Sequence, residues 1–126
     1  MKSEMLPNSA VEVELWSPQE VSDALSRHEI ILVDVRTPVE FAFEHIRGAF
    51  LYPMWGFDAQ QLPVQDTRRL VFHCGTGIRS GKILARCAEN GMTKLAHMEG
   101  GFGAWKAAGL KYVATDPATG AWTMKP

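Results

Sequence analysis

The sequence contains only two cysteines among its 126 residues. Two are too few for a disulfide framework or for a zinc site with four ligands. No apolar run approaches 18 residues, so no segment is expected to span a bilayer. The first residues also lack the apolar stretch of a secretory signal. From these absences we expect a protein of a reducing, cytoplasmic setting.

Neither sign of charge is in excess, because 13 Lys and Arg residues face 14 Asp and Glu residues, for a net charge of -1. Without a polybasic patch, nucleic acid and anionic membranes are not expected as partners. A hydrophobic fraction of 46% and a charged fraction of 21% are ordinary for a globular protein and exclude wholesale disorder. The length suits one domain with a single core.

Predicted strands alternate with predicted helices along the chain. An apolar and acidic alternation at 11–15 predicts an edge strand, and continuous apolar runs predict buried strands. These runs lie at 30–33 and 70–72, and two further strands are predicted at 49–52 and 95–98. Residues 1–10 predict a loose start, and residues 53–68 a loop with one short helix.

Capping boxes predict where two helices begin, at Ser17 and Thr37, each followed by proline. The second of these helices is predicted to present an apolar stripe at helical spacing. The stripe consists of Val39, Ala42, Phe43 and Ile46. Two more helices are predicted, over 80–90 and around Phe102 and Trp105.

This alternation predicts an α/β fold with a parallel sheet, right-handed crossovers and helices on both faces. In such sheets the chemistry gathers beyond the carboxyl ends of the strands. The segments expected there are 34–36, 52–55, 73–79 and 98–101.

One of these segments carries a reactive motif. His73 and Cys74 end a predicted buried strand, and Gly75, Gly77 and Arg79 follow before the next helix. A cysteine there faces unpaired N–H groups and the positive end of a helix dipole, which favour the thiolate. The glycines allow the backbone to curl its amides around an anion. The motif predicts a cradle for a charged sulfur or an oxyanion, and the alternative is a structural cysteine before a flexible turn.

Two chemistries use such a cradle: phosphate-ester cleavage and sulfur transfer. Cysteine phosphatases place five residues between Cys and Arg, whereas four separate Cys74 from Arg79. Phosphate-ester cleavage also needs a general acid, and His73 is a poor one because neighbours on a strand point to opposite faces. The shorter ring suits one sulfur atom, and a phosphatase or arsenate reductase is the alternative.

Three blocks of sequence fall in the order and spacing of a known family. They are Leu-Val-Asp-Val-Arg at 32–36 with Glu40, Phe41 and His-Ile-Arg-Gly-Ala at 45–49, the loop Cys-Gly-Thr-Gly-Ile-Arg-Ser at 74–80, and Glu-Gly-Gly-Phe-Gly-Ala-Trp at 99–105. In these blocks the chain resembles the single-domain rhodaneses, a family of sulfurtransferases. The resemblance implies a rhodanese-like domain over 11–110, between an N-terminal extension at 1–10 and a C-terminal tail at 111–126 packed on the domain. It also implies a five-stranded parallel sheet flanked by helices on both faces, in three α/β/α layers.

The resemblance further implies that Cys74 takes a sulfane sulfur from a donor such as thiosulfate and carries it as a persulfide. The residues implied to hold the substrate are Gly75, Thr76, Gly77, Ile78 and Arg79, through their amides, and Arg36. An acceptor then removes the sulfur, and the implied acceptors are cyanide, a low-molecular-weight thiol and a thioredoxin-like protein. Because this cycle follows the logic of disulfide exchange, it implies no metal and no organic cofactor.

Several residues keep two interpretations. Asp34 and Arg36 organise the strand end, or Arg36 draws anions to the crevice. Arg79 shapes the loop or binds substrate. Cys87, on the apolar face of its helix, is predicted to be a small buried hydrophobe, and the alternative is a thiol that resolves the persulfide.

Other features bear on the partners. Relatives devoted to thiosulfate carry basic residues where this chain has Gly75 and Thr76, so thiosulfate is expected to be a donor in vitro rather than in the cell. Trp55 and Phe57 are candidates for a pocket wall. The histidines predicted to be structural or on the surface, since they show no metal-ligand spacing, are His28, His45 and His97. A non-catalytic interaction module stays a third hypothesis, and the oligomeric state stays open.

Overall fold

The computed structural model describes residues 1–7, 9–63, 65 and 67–126. Its strands are β1 (Lys2–Met5), β2 (Glu12–Trp16), β3 (Ile30–Asp34), β4 (Glu44–His45), β5 (Phe50–Leu51), β6 (Arg69–His73), β7 (Leu95–Met98), β8 (Tyr112–Thr115) and β9 (Trp122–Lys125). Its helices are α1 (Pro18–Ser26), α2 (Pro38–Phe43), α3 (Ile78–Glu89) and α4 (Gly101–Ala107), and a short 3-10 helix covers Ala59–Gln61.

Six strands form the central sheet, in the order β1-β2-β7-β6-β3-β5. All neighbours from β2 to β5 run parallel, and only β1 is antiparallel to its neighbour. Helix α3 packs on one face of the sheet, and α1 and α4 pack on the other. The prediction of a five-stranded parallel sheet between helices is confirmed, and β1 is an additional strand at one edge.

Alternation along the strands decides which face of the sheet each side chain joins. On β6, Leu70 and Phe72 belong to the core beneath α3, and so does Cys74 just after the strand, whereas Val71 belongs to the core beneath α1 and α4. On β7, Leu95 also faces α3. Because successive side chains on a strand point to opposite faces, Cys74 is placed at the carboxyl end of β6 on the α3 side.

The N-terminal strand differs from the loose start that the sequence predicts. Lys2–Met5 pairs with β2 in antiparallel register, with Glu4 opposite Val13. The strand Glu12–Trp16, predicted at 11–15 as an edge, therefore lies inside the sheet. All four residues of β1 are exposed, so the sequence has no hydrophobic pattern from which this strand could be predicted.

The helix predicted from the apolar stripe is shorter than expected. Helix α2 ends at Phe43 and has no buried residue, and Val39 is 80% exposed. Glu44 and His45 instead adopt an extended conformation and pair with β8. The predicted stripe is wrong, because pairing with a strand about seventy residues later in the chain overrides local helix periodicity.

The C-terminal segment at 111–126 contains a hairpin of β8 and β9, which forms a second, antiparallel sheet of three strands with β4. Its contacts with the rest of the chain include a hydrogen bond from the Thr115 hydroxyl to the Ala42 carbonyl. The predicted short helix within 53–68 is present at Ala59–Gln61, and residues 64 and 66 of that stretch lie outside the described residues. Among the helices of the described ranges, none has the length and apolar character needed to cross a membrane.

Candidate active site

The loop after β6 is held in place by the start of α4. The Phe102 N–H donates to the Cys74 carbonyl at 2.8 Å, and the Gly103 N–H donates to the Gly75 carbonyl at 3.1 Å. Gly101 permits this close approach, because its φ is +63° and a β-carbon there would lie 2.5 Å from the Cys74 carbonyl oxygen. Two of the segments predicted to meet beyond the strand ends are thus in direct contact.

The sulfur of Cys74 is fully buried and accepts two backbone hydrogen bonds. The Gly77 N–H donates to it at 3.1 Å and the Ser80 N–H at 3.4 Å. Gly77 adopts a φ of +106° at the start of α3, a conformation that favours glycine. The amides of Gly77 and Ser80 are therefore directed at the sulfur, at the positive end of the helix dipole.

These contacts lower the pKa of Cys74. Burial by itself raises the pKa of this thiol, but hydrogen bonds from Ser80, Gly77 and the backbone of Thr76 outweigh it, and the pKa lies below its ordinary value. A thiolate is the nucleophilic form of cysteine. The geometry supports the predicted anion cradle, with Thr76 and Gly77 among the donors and Ser80 as a donor that the sequence did not reveal.

Arg79, the one basic residue of the loop, is paired with Glu40 of α2. The pair is bidentate, with distances of 2.7 and 3.0 Å between guanidinium nitrogens and carboxylate oxygens. The guanidinium lies over Gly75, where a β-carbon would come within 3.3 Å of Arg79 Nη2. The hydrogen bonds from Arg79 are the main reason that the pKa of Glu40 falls to about 2. These contacts favour the loop-shaping role of Arg79.

Arg36 is buried and its guanidinium is held by Asp34 and by the Glu44 carbonyl. It donates to Asp34 at 2.8 to 3.1 Å and to the Glu44 carbonyl at 2.8 Å, and it lies 4.6 Å from the centre of the Phe102 ring. These contacts favour the organising role of Asp34 and Arg36 over the binding of anions.

His73 belongs to the same buried cluster as Asp34. Its Nε2 lies 3.5 Å from Asp34 Oδ2, and its Nδ1 lies 3.2 Å from the Cys74 carbonyl oxygen. Its ring is thus turned toward Asp34 on the face of the sheet opposite α3, where it also lies near Phe102. Burial lowers the pKa of His73. Its contacts agree with the expectation that it does not form a catalytic pair with the neighbouring thiol.

Ser80, which contacts the sulfur, and His97, which contacts Ser80, were not among the predicted site residues. The Ser80 hydroxyl oxygen lies 3.7 Å from the Cys74 sulfur and 2.9 Å from Nδ1 of His97. His97, predicted to be structural or on the surface, is buried on the α3 side of the sheet. The sequence does contain a signal for the position of His97. His97 follows Leu95 by two residues on the same strand, so both side chains lie on the α3 face of the sheet, as Cys74 does.

The remaining candidates lie in or against the core beneath α3 or at the surface. Cys87 is buried in the core beneath α3, and burial raises its pKa to about 11. Phe57 packs against Tyr52 and Phe72, while Trp55 is 89% exposed. Within the ranges that the structure describes, no group of three or more His, Cys, Asp and Glu side chains is arranged to hold a metal ion.

Comparison with known proteins identifies the family. The model of the rhodanese-like domain matches residues 17–108. An uncharacterised protein of Synechocystis is 37% identical over 102 residues, which are 81% of this chain and 57% of that protein. A sulfurtransferase of Allochromatium vinosum is 32% identical over 88 residues, 70% of this chain and 82% of that one.

A solved structure from Rhodopseudomonas palustris, described as a protein of unknown function and "possible tyrosine phosphatase", superposes with a TM-score of 0.64. It is 27% identical and covers 77% of this chain and 82% of its own. The family match spans every element from the first turn of α1 to the end of α4, including the Cys74 loop. This chain therefore belongs to the family of rhodanese-like domains.

Proposed function

We propose that this protein is a sulfurtransferase that carries a sulfane sulfur as a persulfide on Cys74. The observation that carries the proposal is the Cys74 sulfur itself, which receives the N–H groups of Gly77 and Ser80 and has a pKa below its ordinary value. The proposal is also supported by a relative that is named as a sulfurtransferase, because the match covers 82% of that relative's length.

The reaction needs two displacements at sulfur. The Cys74 thiolate attacks the outer sulfur of thiosulfate, the sulfur–sulfur bond of the donor breaks, and sulfite leaves with the electron pair. A thiolate or cyanide then attacks the outer sulfur of the persulfide, and Cys74 leaves as the thiolate that began the cycle. Both steps are those of thiol–disulfide exchange, and the leaving groups are stable anions that require no general acid.

The charges around the loop bear on the choice of donor. Arg79 is the one cation of the loop, and its charge is paired with Glu40. Gly75 and Thr76 add no positive charge. A dianionic donor such as thiosulfate therefore meets little net attraction, and we propose a less charged persulfide as the donor in the cell.

The mass of the intact protein tests the proposal. After incubation with millimolar thiosulfate, we expect the mass to increase by one sulfur atom, and cyanide should remove it. The Cys74→Ala variant should stay unmodified, and Cys87→Ala, the matched control at the other cysteine, should be modified like the wild type. An unchanged wild-type mass with every donor offered, thiosulfate and a small persulfide included, would contradict the proposal.

A phosphatase is the second candidate, because the solved structure described as a possible tyrosine phosphatase shares this fold at 27% identity. The four residues between Cys74 and Arg79 and the engagement of Arg79 by Glu40 oppose it. Hydrolysis of an aryl phosphate by the wild type but not by Cys74→Ala would favour it.

A further inference from the structure

A chain of buried polar side chains leads away from the Cys74 sulfur on the α3 side of the sheet. The Ser80 hydroxyl oxygen lies 3.7 Å from that sulfur, and it lies 2.9 Å from Nδ1 of His97 on β7. Cys74 and Ser80 are fully buried, and His97 is 9% exposed. The Ser80 hydroxyl also lies 3.2 Å from the Gly77 carbonyl, which is a competing acceptor.

The position of His97 is unusual for an imidazole. It faces the core beneath α3, as Leu95 does two residues earlier, and burying a polar ring is costly unless it is hydrogen-bonded. The contact that compensates Nδ1 is the Ser80 hydroxyl. The ring also lines an open cavity of about 420 Å³ together with Gly77, so protons can reach it from solvent.

We propose that His97 is a positioning residue that acts through the Ser80 hydroxyl to hold Cys74 as a thiolate. This proposal rests on the proposed function, since it concerns the nucleophile of that reaction. In the thiolate state, His97 donates its Nδ1–H to the Ser80 oxygen, and the Ser80 O–H donates to the sulfur.

In the thiol state the same chain runs in the opposite direction. The Cys74 S–H points to the Ser80 oxygen, and the Ser80 O–H points to an unprotonated Nδ1. When the thiol ionises, its proton moves to Ser80 as the hydroxyl proton of Ser80 moves to Nδ1. His97 then releases the proton on Nε2 to water in the cavity, so the sulfur keeps the electron pair and the ring ends neutral.

The charges around His97 suit a neutral ring. The charged groups that face it are Glu4 of β1, Glu99 after β7 and Lys82 of α3, while β2 contributes the apolar Val13. Burial lowers the pKa of His97, and the two carboxylates raise it to a smaller extent. The net effect is a pKa below the ordinary value, so the ring is neutral at pH 7 and its tautomer is free to change. Arg79 in the loop interacts electrostatically with Cys74, which contributes to raising the pKa of Arg79.

The experiment is the pH dependence of Cys74 alkylation by iodoacetamide, in a protein whose Cys87 is replaced by alanine. A lost hydrogen bond to a charged group is worth about one pH unit or more. We therefore expect Ser80→Ala and His97→Leu each to shift the midpoint upward by about one unit and to slow alkylation about tenfold at pH values below the wild-type midpoint. His97→Asn should restore the wild-type midpoint, because its side-chain amide can still donate to Ser80.

The control is His28→Asn, an exposed histidine at a φ of +59° that asparagine tolerates, and its midpoint should not change. A wild-type midpoint in His97→Leu overturns the proposal. So does a midpoint in His97→Asn that is raised as far as in His97→Leu, because the effect would then not come from the hydrogen bond.

A second measurement uses the wild-type residues at 80 and 97, in case a variant does not fold. Nitrogen-15 NMR of the histidines should show His97 protonated at Nε2 below the Cys74 midpoint and at Nδ1 above it, and Cys74→Ala should abolish the change. A tautomer that does not respond to pH overturns the proposal. Alkylation reports ionisation whether or not sulfur is transferred, so failure here is distinguishable from failure of persulfide formation.

Discussion

Replacing Glu40 by glutamine isolates the ion pair that secures the Cys74 loop to α2. Glu40 accepts two hydrogen bonds from Arg79, at 2.7 and 3.0 Å, and its Oε1 also accepts from the Thr37 N–H at 3.1 Å as part of the capping box. Glutamine can keep the cap, but its amide group offers only one acceptor oxygen to Arg79. The substitution therefore removes the charge and the bidentate geometry while the helix start is retained.

The size of the effect follows from the pKa of Glu40, which falls from 4.5 to about 2 mainly through the hydrogen bonds from Arg79. At about 1.4 kcal/mol for each pH unit, the upper limit is about 3 kcal/mol. The side chains of Arg79 and Glu40 are 35% and 37% exposed, so solvent screens much of this interaction. We expect Glu40→Gln to lower the free energy of unfolding by about 1 kcal/mol at pH 7.

The pH dependence has a definite sign. A carboxyl group whose pKa is lower in the folded than in the unfolded state stabilises the fold above the unfolded value and loses that contribution as the pH falls through the folded value. For Glu40 this window runs from 4.5 down to about 2. The difference in stability between wild type and Glu40→Gln should therefore be constant near neutrality and shrink across that window.

Urea unfolding of both proteins at a series of pH values measures this difference. Glu29→Gln is the matched control, because Glu29 lies in an exposed pair with Arg27 at 3.9 Å, and it should change stability by no more than about 0.5 kcal/mol. Equal stability of wild type and Glu40→Gln at pH 7, or a difference that persists to the acid end of the window, would refute the assignment of the stabilisation to this ion pair.

Three further predictions concern the loop, the second cysteine and the second sheet. Gly101→Ala should lower the free energy of unfolding in urea by about 2 kcal/mol or more and slow persulfide formation, because its β-carbon would lie 2.5 Å from the Cys74 carbonyl oxygen. The control is Gly81→Ala, at a helical glycine with open space around it, which should instead raise the free energy of unfolding by about 0.5–1 kcal/mol. Cys87→Ser should form and discharge the Cys74 persulfide at the wild-type rate in intact mass measurements, because burial raises the pKa of Cys87 to about 11 and keeps it a thiol; slower discharge would show a resolving role. Trp122→Ala should lower the free energy of unfolding in urea by about 0.5–1.5 kcal/mol, because it removes the edge-on contact with His45, whose ring centre lies 4.7 Å from that of Trp122. Persulfide formation should be unchanged.

Much of the central sheet was predictable because its strands are buried on both faces. Continuous apolar runs predicted β3 and β6 to within a residue or two, and Leu95–Met98 is the strand predicted at 95–98. The capping boxes at Ser17 and Thr37 are both formed. In each case the signal is local, since burial or a hydrogen bond within one turn fixes the structure.

The missed elements depend on partners distant in the chain. Strand β1 has only exposed residues and exists through its pairing with β2. Strand β4 forms where a helix was expected, because Glu44 and His45 pair with Ala114 and Val113. Periodicity within a short window contains no information about such pairing, so these elements could not be derived from the pattern of residues alone.

At the candidate active site, too, local features were predictable and contacts with distant parts of the chain were not. The motif around Cys74 predicted the cradle, because glycines and a helix start are local features. The partners of that motif come from other elements: Glu40 is 39 residues from Arg79, and His97 is 17 residues from Ser80. Only the side of the sheet on which His97 lies could have been inferred, from its spacing to Leu95.

The groups that stabilise a negative charge on Cys74 distinguish this loop from one in which several basic side chains surround the cysteine. The single loop arginine is paired with Glu40, and the groups that contact the sulfur are the N–H groups of Gly77 and Ser80, the Ser80 hydroxyl and the Thr76 backbone. Neutral donors stabilise a charge only when they are close and correctly directed, and salt screens such buried contacts weakly. Because the Cys74 sulfur is fully buried, the proposed donor is expected to reach it only when surrounding residues move. If the proposed sulfur transfer is correct, we expect the substrate to be selected by fitting one more sulfur among these N–H groups, rather than by attraction of an anion from a distance.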